Sequence, residues 1–308
     1  MVLITFFEAS MTLVGIGVLV LLAFTFRILR DDFLCERNMR IHHPELYQVV
    51  LSVQSRSRRK AIFALYEFHR YAYELADLET GERDLAKLED NLRKHISGMY
   101  VASFRFRSLK KHTYRLYTYE DYQMFFDVLK GVSMDLHYHI YPYLDDVLQY
   151  ARYTMGSLTL MIAPLLDKKN QDFFKSFAFP LGEAIEITRI LKYASRDIEK
   201  GRSYFPESLM KQYRYTQVDL KKQVYNDAWR QLAHAMAEVA EERFELILKQ
   251  LPTVQERFRN SLGEAIINYY ALLKYIQEIE YDVFTILPVV RLEEKNKLFL
   301  QYGLTPRE

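Results

Sequence analysis

The sequence predicts an all-α domain preceded by one membrane-spanning helix. Three observations carry this reading. Gly and Pro are scarce, at 10 and 8 among 308 residues, so long segments run without breakers, which favours helices over many short strands. From about residue 46 onward, apolar residues recur at helical spacing in one segment after another. Finally, residues 2–26, VLITFFEASMTLVGIGVLVLLAFTF, carry Glu8 as their one charge. That run is apolar all round rather than striped, and it supplies the roughly 20 residues a bilayer-crossing helix needs.

The N-terminal element comes first. A cleaved signal would begin with a basic region and end at a small-residue site. Here the basic residues follow the apolar run, as Arg27, Arg30, Arg37 and Arg40. Positive charge stays on the cytoplasmic side, so the expectation is an uncleaved anchor over 1–30 with its N-terminus outside and the main domain in the cytoplasm. Residues 31–45 are expected to form a juxtamembrane linker and 46–308 one helical domain. The segments with helical apolar spacing are 58–78, 119–136, 143–166, 177–201, 227–251 and 262–284. Breaks fall at Gly81, Gly98, 164–171, 201–208 and Pro252. No repeat of fixed period and no low-complexity linker divides the chain, so a single domain follows.

Half of the residues are hydrophobic, with 24 Tyr and 20 Phe, enough for a large, partly apolar interior. The formal net charge of +2 does not indicate nucleic acid as a partner. Membrane lipid is the expected partner of the N-terminal run, and a protein partner stays open. The densest basic run is Arg105, Arg107, Lys110, Lys111, His112 and Arg115, either a solvated face or a contact for anionic lipid headgroups. Cys35 is the single cysteine, so no internal disulfide forms. The HYH at 137–139 lacks helical ligand spacing and a matching second pair.

Four segments, in order, carry a family resemblance. RRKAIFALYEFHRYAYELAD (58–77) resembles the first signature of the squalene/phytoene synthases, which ends in C-R-x-x-D-D-x-x-D. SMDLHYHIYPYLDDVLQYARYTMGSLT (133–159) resembles their middle segment, which runs from a Met-Asp-Leu element through a Tyr-rich stretch to a Gly. PLGEAIEITRILKYASRDIEKGRSYFPESLMKQY (180–213) resembles their second signature, Q-L-T-N-I-L-R-D-V-x-E-D-x-x-x-G-R-x-Y-L-P, and RLEEKNKLFLQYGL (291–304) their closing helix. The resemblance spans roughly 43–300. It implies an isoprenoid-synthase-type bundle around a central cavity and a transferase activity that joins two prenyl diphosphates head to head. It also implies Mg²⁺ held by acidic motifs on facing helices. A divalent cluster stabilises the charge of a departing diphosphate, Mg²⁺ requires oxygen ligands in octahedral array, and acids at i and i+4 present them from one helix face.

This chain departs from that pattern where the chemistry lies. The two ligand-bearing acids of the first motif fall on Tyr73 and Asp77, with Glu74 between them; those of the second fall on Tyr193 and Asp197. The amide positions of the second motif fall on Glu186 and Arg189, its Arg on Lys192, and the acid before its final Asp on Arg196. His43, Arg70, Gly156, Arg202 and Tyr204 stand at family positions, whereas the family Tyr four residues before the Gly is Arg152. The acids expected at a metal or diphosphate site are therefore Asp77, Glu74, Asp197 and Glu186, with Mg²⁺ through Asp77 and Asp197 if the protein is active. The residues expected near a diphosphate are His43, Arg70, Arg189, Lys192, Arg196 and Arg202.

Two readings of the basic residues follow. In one, Arg189 or Arg196 pairs with Asp77 and replaces the metals as a link between facing helices. In the other, Arg189, Lys192 and Arg196 bind a diphosphate or phospholipid headgroup without metal. The expectation for the whole is an isoprenoid-binding or scaffolding pseudoenzyme. The alternative is an active prenyl transferase or a prenyl-diphosphate phosphatase.

Overall fold

The computed structural model describes residues 2–114, 116–118, 120–137, 139–166, 171–254 and 256–304, with side chains from Val14 onward except at 15, 120, 171 and 257. The helices, in chain order, are α1 (Val2–His42), α2 (Pro44–Leu51), α3 (Arg56–Leu75), α4 (Gly81–Ile96), α5 (Phe104–Thr113), α6 (Gln123–Leu136), α7 (Leu144–Ala151) and α8 (Ser157–Leu166). They continue as α9 (Gln171–Ser176), α10 (Ala178–Lys192), α11 (Ala194–Glu199), α12 (Glu207–Gln212), α13 (Gln217–Lys221), α14 (Asp227–Gln250), α15 (Glu256–Glu278) and α16 (Leu292–Gln301). Among the described residues there is no strand. The expected all-α bundle is what forms.

Local chemistry places the ends. Pro44 opens α2, where its missing N–H has no partner to lose. The Ser55 hydroxyl accepts the Arg58 N–H at the start of α3, and the Asn226 side chain accepts the Trp229 N–H at the start of α14. Gly201 (φ +75°) takes the left-handed turn that ends α11. The α10 helix is buried on most sides, through Leu181, Ala184, Ile187, Ile190 and Leu191, and its buried Glu183 and Glu186 are each met by an arginine. It packs on α14, α8 and the turn between α7 and α8. That turn, Arg152–Gly156, is a π-helical bulge inside the expected 143–166 helix. It lies against α10 so closely that a Cβ on Gly182 would sit 2.3 Å from the Gly156 nitrogen.

Several expectations are corrected. Among the described residues no helix is long and apolar enough to cross a membrane. The apolar part of α1 with described side chains, 14–26, is shorter than the roughly 20 residues a span needs; the side chains of 2–13 lie outside the described ones. The expected anchor over 1–30 thus falls partly outside the described side chains, and the part inside them does not by itself make a span. Nor is 31–45 a linker. Asp31, Asp32, Cys35 and Met39 are buried because α1 runs on without a break and packs against α3 and α5. The expected 177–201 helix bends at Tyr193, which separates α10 from α11. The last long helix ends at Glu278 rather than 284, because the chain turns through Glu280 and Tyr281 at positive φ.

Candidate functional site

The C-terminal end of α3, the end of α6, the α10–α11 junction and the loop at Arg202 converge on one cleft of about 310 Å³. Each family acid that reaches it already has a cation. Arg189, on α10, donates from Nε to Glu186 Oε1 at 2.5 Å and from Nη1 to Asp197 Oδ2 at 3.0 Å. Both carboxylates are buried, at 1% and 3% exposure, and a buried charge needs such a partner. Arg70 pairs with Glu67 at 3.2 Å and with Glu74. Asp77 receives Lys200 at 2.8 Å and Arg202 at 2.9 Å. Partial burial works against the Asp77 carboxylate, but the Lys200 and Arg202 hydrogen bonds outweigh it and hold its pKa below the usual range. Arg202 also donates to the Asp135 carbonyl at 2.9 Å and the Ala76 carbonyl at 2.6 Å, so one guanidinium ties together the ends of α3 and α6.

A carboxyl outside the expected set sits at the floor of the cleft. Asp135 accepts the Tyr204 hydroxyl at 2.6 Å and the Tyr150 hydroxyl at 3.0 Å. Burial pushes its pKa up to about 6, opposed by the Tyr204 hydrogen bond and by Arg189 and Arg202. The signal for it was in the sequence, in the Met-Asp-Leu element at 134–136. Lys200 was missed too; it lies three residues past Asp197 and gave no motif. Around the cleft several buried polar atoms have no hydrogen-bond partner: His69 Nε2, Tyr73 Oη, Glu186 Oε2 and Arg189 Nη2. Buried polar groups are ordinarily satisfied, so this grouping marks a place suited to a polar ligand.

Beside the cleft lies a narrow apolar pocket of about 70 Å³. His43, Met155 and Leu158 line both spaces. Beyond this neck the walls are Leu46, Val49, Ile162, Phe174, Leu262 and Ile266. The pocket is about half the ~150 Å³ of an engineered cavity that holds one benzene, so any prenyl tail enters only if wall side chains rotate. His43 stands at the break between α1 and α2, with Nε2 2.9 Å from the Tyr269 hydroxyl, and burial lowers its pKa.

The expected site residues divide accordingly. His43, Arg70, Tyr73, Glu74, Asp77, Arg189, Arg196, Asp197 and Arg202 line the cleft, whereas Glu186, Lys192 and Tyr193 do not. Lys192 and Arg196 lie over the Tyr193 ring, at 5.0 and 4.1 Å. Among the described residues Arg196 forms no ion pair, which leaves its guanidinium free to meet an anion. The expected pairing of Arg189 or Arg196 with Asp77 does not occur. The bend at Tyr193 turns Arg189 toward Asp197 within its own helix pair, and the cross-link to Asp77 comes from Lys200 and Arg202 instead. Arg152 points away from the cleft and holds Glu183 at 2.6 Å together with Arg243.

A magnesium cluster of the kind the acidic motifs imply does not fit this donor set. Asp77, Glu74, Glu186 and Asp197 are each engaged by Arg or Lys, and the hydroxyl of Tyr73 replaces a carboxylate where the first ligand would be. Among the described residues no three of His, Cys, Asp and Glu are grouped to hold a metal ion.

Comparison with known proteins agrees with the fold and the motif order. The pattern that defines the squalene/phytoene synthases matches residues 42–294. Farnesyl diphosphate phosphatase YisP of Bacillus subtilis (strain 168) is 32% identical over 173 residues, covering 56% of this chain and 63% of that protein. Chloroplastic phytoene synthase of Daucus carota is 26% identical over 235 residues, covering 74% of this chain and 59% of that one. In sequence, the match thus spans less than two thirds of the length of these relatives. The crystal structure of a dehydrosqualene synthase in complex with ligand superposes with a TM-score of 0.75 at 24% identity, over 90% of this chain and 96% of that one. The structure of YisP superposes with a TM-score of 0.67 at 22% identity, over 90% and 97%; at these identities the likeness concerns the fold alone. With the family pattern covering most of the chain, and the signature helices enclosing one shared cleft, the chain belongs to the squalene/phytoene synthase family.

Proposed function

We propose that this family member binds a prenyl diphosphate, or a related isoprenoid anion, with arginine and lysine in place of magnesium, and does not join two prenyl chains. The observation that carries this is the complete pairing of the family acids with Arg70, Arg189, Lys200 and Arg202 in a cleft that leads into an apolar pocket. Arg196, which among the described residues meets no carboxylate, and the Nη2 of Arg189, which has no hydrogen-bond partner, supply donors to a diphosphate, since guanidinium matches phosphate oxygens in geometry and charge. The narrow apolar pocket suits the start of one tail and leaves little room for a second. On this reading the protein is an isoprenoid-binding or scaffolding pseudoenzyme. The apolar N-terminal run attaches it to a membrane, with the N-terminus outside and the domain on the cytoplasmic side, where its ligands are lipidic.

A second reading, a prenyl-diphosphate phosphatase, draws on the likeness to YisP and on Asp135, a carboxyl in the cleft whose pKa is raised to about 6, within reach of proton exchange in mildly acidic to neutral solution. Calorimetric titration with a non-hydrolysable farnesyl diphosphate analogue separates these readings from a metal-dependent synthase. The expected result is binding that survives a chelator and that falls about tenfold or more in Arg196→Gln, the loss of one charge-assisted contact. Binding that requires Mg²⁺, or a Mg²⁺-dependent hydrocarbon made from farnesyl or geranylgeranyl diphosphate, would overturn the proposal. Release of farnesol without Mg²⁺ would move the reading to the phosphatase.

A further inference from the structure

We propose that the seam between α1 and the Met99–Thr113 segment is a binding site for the headgroup of an anionic membrane lipid. The inference rests on the attachment of the N-terminal run to a bilayer proposed above, and names the lipid contact that orients the domain beneath it. Phe24, Arg27, Ile28 and Asp31 fall on one face of α1, three and four residues apart. They face Tyr100, Arg107, Lys110 and Lys111 across a groove of about 410 Å³.

The charges in this groove are unevenly satisfied. Asp31 accepts two hydrogen bonds from Arg107, at 2.7 and 2.9 Å. Asp32 is met by Lys60 at 2.6 Å, His112 at 2.7 Å and Lys111 at 2.8 Å. These contacts hold the helix against the domain. They also absorb most of the basic run seen in the sequence, with Arg105 on the buried Glu67 at 2.9 Å and Arg115 outside the described residues. Two cations are left over. Arg27 reaches only the neutral Tyr100 hydroxyl, at 3.3 Å, and Lys110 only the Gly98 carbonyl, at 2.9 Å. Among the described residues neither meets a carboxylate.

What lies next to these cations argues for a bilayer. On the N-terminal side of Arg27 the helix exposes Val20, Leu21, Leu22, Phe24 and Phe26, the last at 69%. A continuous apolar surface of this kind marks an interaction site. Met99 and Tyr100 are exposed as well, Tyr100 at 65%, and Tyr100 lines the groove beside Phe24. The order along α1 is therefore apolar, then aromatic, then basic, which is the order met on passing from the hydrocarbon into the anionic headgroup layer. A solvated basic face would have no reason to sit beside exposed phenylalanines.

The test uses the full chain in nanodiscs of phosphatidylcholine alone or mixed with phosphatidylglycerol, with lipid retained by the released protein read by native mass spectrometry. The expected result is preferential retention of phosphatidylglycerol. Each basic residue near an anionic surface contributes about fivefold, so Arg27→Gln with Lys110→Gln should reduce the preference by about 25-fold, while Arg27→Lys with Lys110→Arg should keep it. Equal retention of the two lipids, or an unchanged preference in the glutamine variant, overturns the headgroup site alone. Displacement of the lipid by millimolar inorganic phosphate overturns it too, by reassigning the groove to free phosphate. Failure of the chain to enter either disc overturns the attachment, and the site with it.

Discussion

Arg189→Asn tests whether a guanidinium has taken over the neutralising role in the cleft. Arg189 contacts two buried carboxylates at once, Glu186 at 2.5 Å and Asp197 at 3.0 Å. Removing one partner from a buried ion pair costs about 3–5 kcal/mol, because the remaining charge is left without compensation. Asparagine can still donate to one of the two acids, so the lower end, about 3 kcal/mol, is the expected loss. At roughly 2–4 °C per kcal/mol for a domain somewhat smaller than this one, the melting temperature should fall by about 6–12 °C. The second substitution Glu186→Gln removes one of the two unpaired charges and should return about half of that loss. The assay is thermal unfolding followed by circular dichroism at pH 7.5, with equilibrium urea unfolding as a check. A fall of less than about 2 °C for Arg189→Asn would refute the reasoning, since the acids would then be balanced by something else.

Two further outcomes follow from other parts of the bundle. The pKa of Asp135 rises from 3.8 to about 6 on folding, so the native state holds a proton that the unfolded state has released. Its contribution is full below about pH 4 and is lost as pH rises through 6, about 3 kcal/mol in all at ~1.4 kcal/mol per unit; burial lowers the pKa values of His69 and His95, so both add stability as pH rises over the same range, and the Asp135 effect is read as a fall in the stability of the native protein relative to Asp135→Asn in urea unfolding from pH 4.5 to 7.5, which parallel profiles would refute. Gly182→Ala would place a Cβ 2.3 Å from the Gly156 nitrogen and 2.4 Å from its Cα; backbone cannot yield as a flexible side chain does, so a loss of about 1–3 kcal/mol is expected, and an unchanged urea midpoint would show that the π turn and α10 can separate freely.

The sequence alone determined the fold class and the family. Scarce breakers and helical apolar spacing are local properties, and signatures at 58–77, 133–159 and 180–213 keep their order whatever the chain does in space. It also determined that the first acid of each motif is tyrosine, at Tyr73 and Tyr193. The tertiary structure decided the partners. Arg189 and Arg196 are seven residues apart and look equivalent on a straight helix, yet the bend at Tyr193 turns one onto the buried Asp197 and leaves the other exposed over a ring. Asp77 finds Lys200 and Arg202 across more than a hundred positions of sequence, and Asp135 becomes a perturbed acid only where Tyr150, Tyr204 and burial surround it. Residues 31–45 have the composition of a linker, but Asp31 and Asp32 are drawn into the domain by basic residues of α3 and α5. Periodicity follows from the chain's own geometry, whereas the strength of a charge pair depends on distance and burial, and those exist only once distant helices have packed.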